Sequence, residues 1–464
     1  MAFSSAVFLF AFLPLVYIVY IILSRITKTN ICVLNGFLVF ASLLFYAYGE
    51  PIFVIVMIGS VFVNVVLAGR IVHSAGHKKL YLIAGVILDI GLLAAFKYLG
   101  FISENIIAIF GLHYEPVNIH LPIGISFFTF QILSYLIDVY RDESMYQKSP
   151  WKVLLYVSFF PQLIAGPIIK YHDVRQWIDN RKLTSPEAAQ GVQRFVIGLS
   201  KKVLIANSLG KFVDVVYGMS YNELPTAYAW LGAVLYALQI YYDFSGYSDM
   251  AIGLGHMFGF TFAENFNNPF QSCSIREFWK RWHISLSSWF REYLYIPLGG
   301  NRKGRFNTEK NKLIVFFLTG LWHGASWNFV LWGMIHGVSL VAEDLLLRKK
   351  ELAKRLKWIG WIYTTIIVCI AFVWFRADTF GQGCSFFVRM FCGNPVSNAA
   401  YGQIIPFLTP FFLLIVIAAI AGCLPFVRKI KIKTGGYVLS ILLYILCLCA
   451  IAGEAYNPFI YFRF

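Results

Sequence analysis

Residues Gly320–Gly337 read "GLWHGASWNFVLWGMIHG", with two histidines, three tryptophans, four glycines and no formal charge. They lie inside an apolar stretch, Leu313–Leu347, long enough to cross a bilayer. His323 and His336 are 13 residues apart. On one continuous helix they would point ~140° apart and lie about 20 Å apart along the axis, so they could not share a metal ion. Gly324-Ala325-Ser326 predicts a break after His323. Beyond it, Asn328, Trp332 and His336 fall at i, i+4 and i+8 along one helix face. Gly333 and Gly337 form a small-residue face that lets another helix approach. A broken backbone at membrane depth survives only where protein or a cavity shields it.

The rest of the chain agrees with a membrane setting. Of 464 residues, 59% are hydrophobic and 13% charged, and the mean hydropathy is +0.67. Soluble domains run near a quarter charged, so the composition is that of an integral membrane protein. Aromatic residues make up 18%, as interfacial belts and a packed helical bundle require. A net charge of +16 invites a nucleic-acid reading. That reading fails, because the cations sit in short loops between apolar spans. The eight cysteines form no zinc-type CxxC pair, and no metal site is expected. Cys384 and Cys392 share an expected external loop where a disulfide is conceivable.

Further apolar stretches are Ser5–Ser24, Ile31–Gly49, Ile52–Gly69, Leu80–Leu99, Leu121–Tyr140, Val153–Ile169, Val192–Val216, Ala227–Tyr242 and Ser245–Phe262. Trp358–Phe375, Ile404–Phe426 and Tyr437–Gly453 complete the set. The first lacks a basic leader and reads as a retained span. These predict an all-α polytopic membrane protein with about 10–12 transmembrane helices plus re-entrant and interfacial helices. Arg70–Lys79, Asn301–Lys312, Arg348–Lys357 and Arg428–Lys433 are basic and mark the cytoplasmic side, which puts both termini outside. No internal repeat or separate soluble domain is visible. Pro161, Gly166 and Pro167 in Phe159–Asp173 predict a re-entrant hairpin. Ile275–Tyr295, "IREFWKRWHISLSSWFREYLY", reads as one amphipathic helix along the cytoplasmic interface. Phe278, Trp282, Leu286, Trp289, Phe290 and Tyr293 form its apolar face, and Arg276, Lys280, Arg281 and Arg291 are interleaved.

Candidate chemistry follows from what is absent and what is buried. There is no GxSxG elbow, no P-loop and no HExxH. A neutral imidazole can take a proton from a hydroxyl near pH 7, and a low-dielectric site keeps it neutral. His323 and His336 are therefore candidate general bases, against the plainer reading that each hydrogen-bonds a neighbouring helix. Haem ligation is disfavoured, since no matching histidine pair lies at helical spacing on another span. In "YYDFSGYSDMAIGLG", Tyr241–Gly255, the polar residues Asp243, Ser245, Ser248 and Asp249 could line a tunnel or could cap a helix N-terminus. Asp89 and Asp138 are expected to be structurally paired acids. A transporter or flippase using the histidines as a proton relay is a second class of reading.

Several ordered segments resemble the membrane-bound O-acyltransferase family, in its bacterial alginate O-acetylation branch. They are Leu121–Arg141 ("LPIGISFFTFQILSYLIDVYR"), Phe160–Ile168 ("FPQLIAGPI"), Tyr241–Gly255, Glu264–Gly304, Thr319–Gly337 and Asn457–Phe464 ("NPFIYFRF"). The resemblance implies a single membrane-embedded domain over 1–464, with peripheral N-terminal helices to about residue 120, a catalytic core over 121–347 and C-terminal helices over 348–464. It implies a ring of helices around a thinned centre with a tunnel. It implies transfer of an acyl group, usually acetyl, from a cytoplasmic thioester such as acetyl-CoA to an extracytoplasmic polysaccharide hydroxyl. No bound cofactor is expected. The family's Trp-His-Gly motif falls on Trp322-His323-Gly324 and ranks His323 first and His336 second. Trp322, Asn328, Trp332, Asp243, Ser245, Arg276, Lys280, Arg281 and His283 are candidate substrate-binding residues, the cations for an anionic donor. A separate extracytoplasmic acetyltransferase is the implied partner, and a bacterial cytoplasmic membrane the implied location. The teichoic-acid D-alanylation branch is the near alternative.

Overall fold

The structure, a computed structural model, describes residues 1–113, 115–117, 119–346, 357–424 and 435–453. The terminal motif Asn457–Phe464, the basic cluster Arg428–Lys433 and all but Lys357 of the cluster Arg348–Lys357 lie outside the described residues. Among the described residues the chain is helical, with no strand beyond one isolated bridge between Pro225 and Asn394. It divides into two compact units. One holds Met1–Phe195 with Tyr247–Glu264; the other holds Val196–Gly246 and the described residues from Asn265 onward.

The first unit contains α1 (Leu13–Ile26), α2 (Ile31–Ala47), α3 (Phe53–His73), α4 (Lys78–Lys97), α5 (Leu99–Phe110) and α6 (Ile125–Arg141). It continues with α7 (Pro150–Ser158), α8 (Phe160–Leu163), α9 (Tyr171–Asp179) and most of α10 (Ser185–Ser200). Asn30 caps α2 by accepting from the Cys32 amide. Asp89 on α4 is buried, and accepts from Asn64 Nδ2 at 2.8 Å and Ser60 Oγ at 3.3 Å on α3. Asp138 of α6 meets His172 Nδ1 at 2.9 Å. Both acids are thus structurally paired, as expected. The segment between α8 and α9 is irregular and buried, with Gly166 at φ +122°. Its neighbours supply the cover that such backbone needs at membrane depth.

The second unit contains α11 (Asn207–Gly218), the first part of α12 (Thr226–Met257), α13 (Ile275–Arg281), α14 (Ile284–Phe290), α15 (Gly304–His323) and α16 (Trp327–Leu346). Beyond these come α17 (Lys357–Arg376), α18 (Phe380–Cys392), α19 (Asn398–Ile404), α20 (Pro410–Gly422) and α21 (Gly435–Gly453). The expected break is present: α15 ends at His323, Gly324–Ser326 is irregular, and α16 begins at Trp327. A Cβ on Gly320 would strike the Phe329 carbonyl, and one on Gly333 the Phe316 carbonyl. The small-residue face of α16 therefore serves α15 itself, and the hairpin closes to backbone contact.

Six helices among the described residues are long and apolar enough to cross a membrane, or seven if the bent pair Asn398–Phe407 and Pro410–Gly422 forms one span. Several stretches counted in the sequence are realised as shorter helices instead. Ile31–Ala47 and Ile125–Arg141 have 17 residues each, and Val153–Ile169 is split.

Three expectations are corrected. Ala227–Tyr242 and Ser245–Phe262 do not form two spans, since α12 runs unbroken from Thr226 to Met257. Asp243, Ser245, Ser248 and Asp249 are then interior to a helix and cap nothing. Ile275–Tyr295 is not one interfacial helix, because it breaks at Trp282-His283, where His283 takes φ +44°. Its apolar side chains Phe278, Trp279, Trp282, Leu286 and Trp289 are buried in protein. Cys384 and Cys392 both lie on α18 and are free thiols; eight residues of helix separate them by about 12 Å, too far for a disulfide.

Candidate active site

The hairpin places His323 at the end of α15, 6% exposed. A Cβ at Gly324 would collide with the Phe329 ring, so a larger residue there must displace that ring. Aromatic rings cage the imidazole edge-on. Trp322 and Trp332 lie at 4.9 Å between centroids and Phe375 of α17 at 5.2 Å. His283 is the fourth neighbour, at 6.4 Å.

The sequence marks His283 as a candidate substrate-binding residue and does not place it beside His323. Its proximity to His323 is the contact that local patterning could not supply, since 40 residues separate the two in the chain. Asn265 builds the position. Its backbone carbonyl accepts from the Ile284 amide at 2.9 Å, and its Oδ1 accepts from the Ser285 amide at 3.1 Å and hydroxyl at 2.8 Å. Those are the first donors of α14, which its own N-terminal residue does not satisfy. The same Oδ1 lies 3.3 Å from His283 Nδ1, which must donate to it and leaves Nε2 as the basic nitrogen. Burial pushes the His283 imidazole down to about 3, so the ring is neutral. Phe244 of α12 and Trp322 close its remaining edges, at 4.6 and 6.2 Å.

His336 is fully buried on α16, and Trp332 stands between it and His323. Its ring is parallel to Phe278 at 6.0 Å and edge-on to Trp279 at 5.3 Å and Trp332 at 5.3 Å. Both His336 ring nitrogens, the indole nitrogens of Trp279 and Trp332, and Asn328 Oδ1 have no partner among the described residues. Asn328 Nδ2 donates to the Ala377 carbonyl at 2.7 Å, which fixes the amide. A neutral imidazole and two indoles left in this state are costly in an apolar site, and they are the donors and acceptors a polar substrate group would meet.

The remaining candidates divide. Asp243 is held by Lys202 at 2.8 Å, with both side chains 3% exposed; Lys202 also donates to Asn207 at 2.8 Å. Ser245 is buried and directly follows Phe244, the neighbour of His283, on α12. Arg276 and Lys280 line a cavity of about 990 Å³ whose inner wall includes Trp279, Phe316 and Thr319. Arg291, Arg305 and Lys312 also line it, giving five cations against the carboxylates of Glu309 and Asp344. Arg276 and Lys312 both pair with Asp344. Arg281 is not with them, since it pairs with Glu277 at 2.9 Å and lines a different cavity. Among the described residues no three of His, Cys, Asp and Glu gather as metal ligands would.

Known proteins resemble this chain in sequence. "Probable alginate O-acetylase AlgI" of Pseudomonas putida is 37% identical over 497 aligned residues, covering 100% of both chains. "Peptidoglycan O-acetyltransferase" of Helicobacter pylori is 37% identical over 81% of this chain and 77% of its own. "Teichoic acid D-alanyltransferase" of Bacillus subtilis is more distant, 29% identical over 58% of this chain and 72% of its own. The sequence profile of MBOAT, the membrane-bound O-acyltransferase family, matches residues 138–378, a span that contains the caged histidine, its imidazole neighbour and the basic cavity. On that match and a relative aligned from end to end, this chain belongs to the membrane-bound O-acyltransferase family and is a multi-pass membrane enzyme of that class.

Proposed function

We propose that this protein O-acetylates an extracytoplasmic polysaccharide at a bacterial cytoplasmic membrane, with His323 as general base. The observation that carries the reading is the buried pair His323–His283 in an aromatic cage at a helix break. His323 takes the proton of the acceptor hydroxyl as its oxygen attacks the thioester carbonyl. The carbon–sulfur bond breaks and the proton passes to the leaving thiolate. His283, neutral and oriented by Asn265, is a second imidazole beside it, 6.4 Å away between ring centroids, and would hold the His323 ring in place. The Trp279 and Trp332 indole N–H groups and His336 are the polar edges that would steady the reacting carbonyl. Charge complementarity supports the basic cavity as the mouth for a phosphorylated donor such as acetyl-CoA, with Arg276 and Lys280 on its rim. Two relatives named for acetylating different carbohydrate polymers support a polysaccharide acceptor. A separate extracytoplasmic acetyltransferase completes delivery in this reading.

The test is transfer of label from acetyl-CoA to polysaccharide by purified protein in lipid vesicles, with and without the extracytoplasmic partner. Wild type should move label and His323→Ala, at equal abundance, should not. Equal transfer by the variant overturns the assignment of the base. Label delivered only from a D-alanyl thioester carrier would favour the teichoic-acid reading, which the Bacillus subtilis relative keeps open.

A further inference from the structure

The cavity that Arg281 lines is of a different kind from the donor mouth. It encloses about 750 Å³, within the usual range for a ligand site. Its walls are apolar: Val234 and Leu238 of α12, Trp361 and Cys369 of α17, and Ile420 and Leu424 at the end of α20. The charged residues come from α13 and the first turn of α17. Glu277, Arg281 and Lys357 all line this cavity. Arg281 is neutralised by Glu277 through Nε at 3.0 Å and Nη2 at 2.9 Å. The exposed Lys357 then leaves the lining with one net positive charge. In sequence it closes the run Arg348–Lys357, which has six cations and one acid.

The site is built rather than incidental. Gly360 sits against the Cys273 carbonyl so closely that any Cβ would clash. Gln271 Nε2 donates to the Cys423 carbonyl at 2.7 Å, and Trp361 Nε1 to the Phe270 carbonyl at 2.8 Å. These contacts tie the segment before α13 to both α17 and α20. Trp358, 79% exposed, stands beside Lys357; tryptophan and lysine together mark the headgroup level of a bilayer. A partner helix is too thick for the space: at 10–12 Å across, ten residues would fill about 1,200 Å³.

We propose that this groove binds an anionic membrane phospholipid, with one acyl chain between α12, α17 and α20 and the phosphate at Lys357 and Arg281. The lipid would brace two elements of the cage, because α17 also carries Phe375 against His323 and α13 carries Trp279 against His336. The proposal does not depend on which acyl group or acceptor the enzyme uses.

Native mass spectrometry of the full chain, exposed to equal phosphatidylglycerol and phosphatidylcholine, tests it. Phosphatidylglycerol should be retained preferentially, and Lys357→Ala should weaken that retention about fivefold, the effect of one cation near a lipid surface. Ala237→Trp, which fills the groove, should weaken retention of both lipids. As a check that needs no variant, photoactivatable phosphatidylglycerol should label Phe270–Arg281 and Lys357–Cys369. Equal retention of the two lipids, indifference to Lys357→Ala, or labelling elsewhere overturns the proposal. Displacement of the lipid by acetyl-CoA would assign the groove to the donor and overturn it as well.

Discussion

Gly333→Ala tests the hairpin that holds the proposed active site. A Cβ on Gly333 would fall on the Phe316 carbonyl oxygen and within 3.2 Å of both Cα and N of Gly320. All three atoms are α15 backbone, so no side chain can rotate away, and α15 must retreat from α16. Overpacking of this kind costs about 1–3 kcal/mol. The catalytic consequence is larger than the stability loss suggests. His323 ends α15, and its ring lies 4.9 Å from Trp332, the residue before Gly333 on α16. Separating the helices by about 1 Å moves the proposed base against its cage, and such a shift can reduce turnover about a hundredfold. Gly59→Ala is the control, because Gly59 lies inside α3 with nothing within 4 Å of its added Cβ. It should hold full activity and stabilise by about 0.5–1 kcal/mol. Acetyl transfer in proteoliposomes and thermal midpoints in detergent measure both variants. A Gly333→Ala protein with wild-type rate and midpoint would refute the backbone contact and the placement of His323 that depends on it.

Three further outcomes are expected. His323→Gln should lower acetyl transfer by about 10²–10⁴ with folding retained, while His336→Phe, which keeps a ring among Phe278, Trp279 and Trp332, should lower it less. Kinetics in which His336→Phe is the more damaging would exchange their roles. Lys202→Met removes the ion pair to the buried Asp243 carboxylate and should destabilise by about 3–5 kcal/mol. Lys202→Met with Asp243→Leu should recover most of that in denaturant titrations, and failure to recover would show that the pair does more than balance charge. His172 is raised to about 10, first by its hydrogen bond to Asp138 and then by Asp173. A raised imidazole stabilises the fold below its unfolded value of about 6.5 and loses that contribution as pH climbs through 10. The thermal midpoints of wild type and His172→Gln should therefore differ most near pH 6 and converge above pH 10. A gap that widens with pH would contradict the ion pair.

The sequence alone determined whatever depends on composition and local order. Apolar run length established a polytopic helical membrane protein. Gly324-Ala325-Ser326 located the helix break, because glycine and serine interrupt an apolar helix whatever surrounds them. The face Asn328–Trp332–His336 followed from the 3.6-residue period. Tertiary structure decided whatever depends on partners distant in the chain. Local pattern made Ile275–Tyr295 amphipathic, which suits a membrane surface and a protein interior equally well. Only Asn265, satisfying the first donors of α14, shows the break at His283 and brings that ring to His323. Arg276 and Arg281 are alike in type and five residues apart, yet they line different cavities. Five residues of helix turn the side chain by about 140°, and what each face then meets is set by helices elsewhere in the chain.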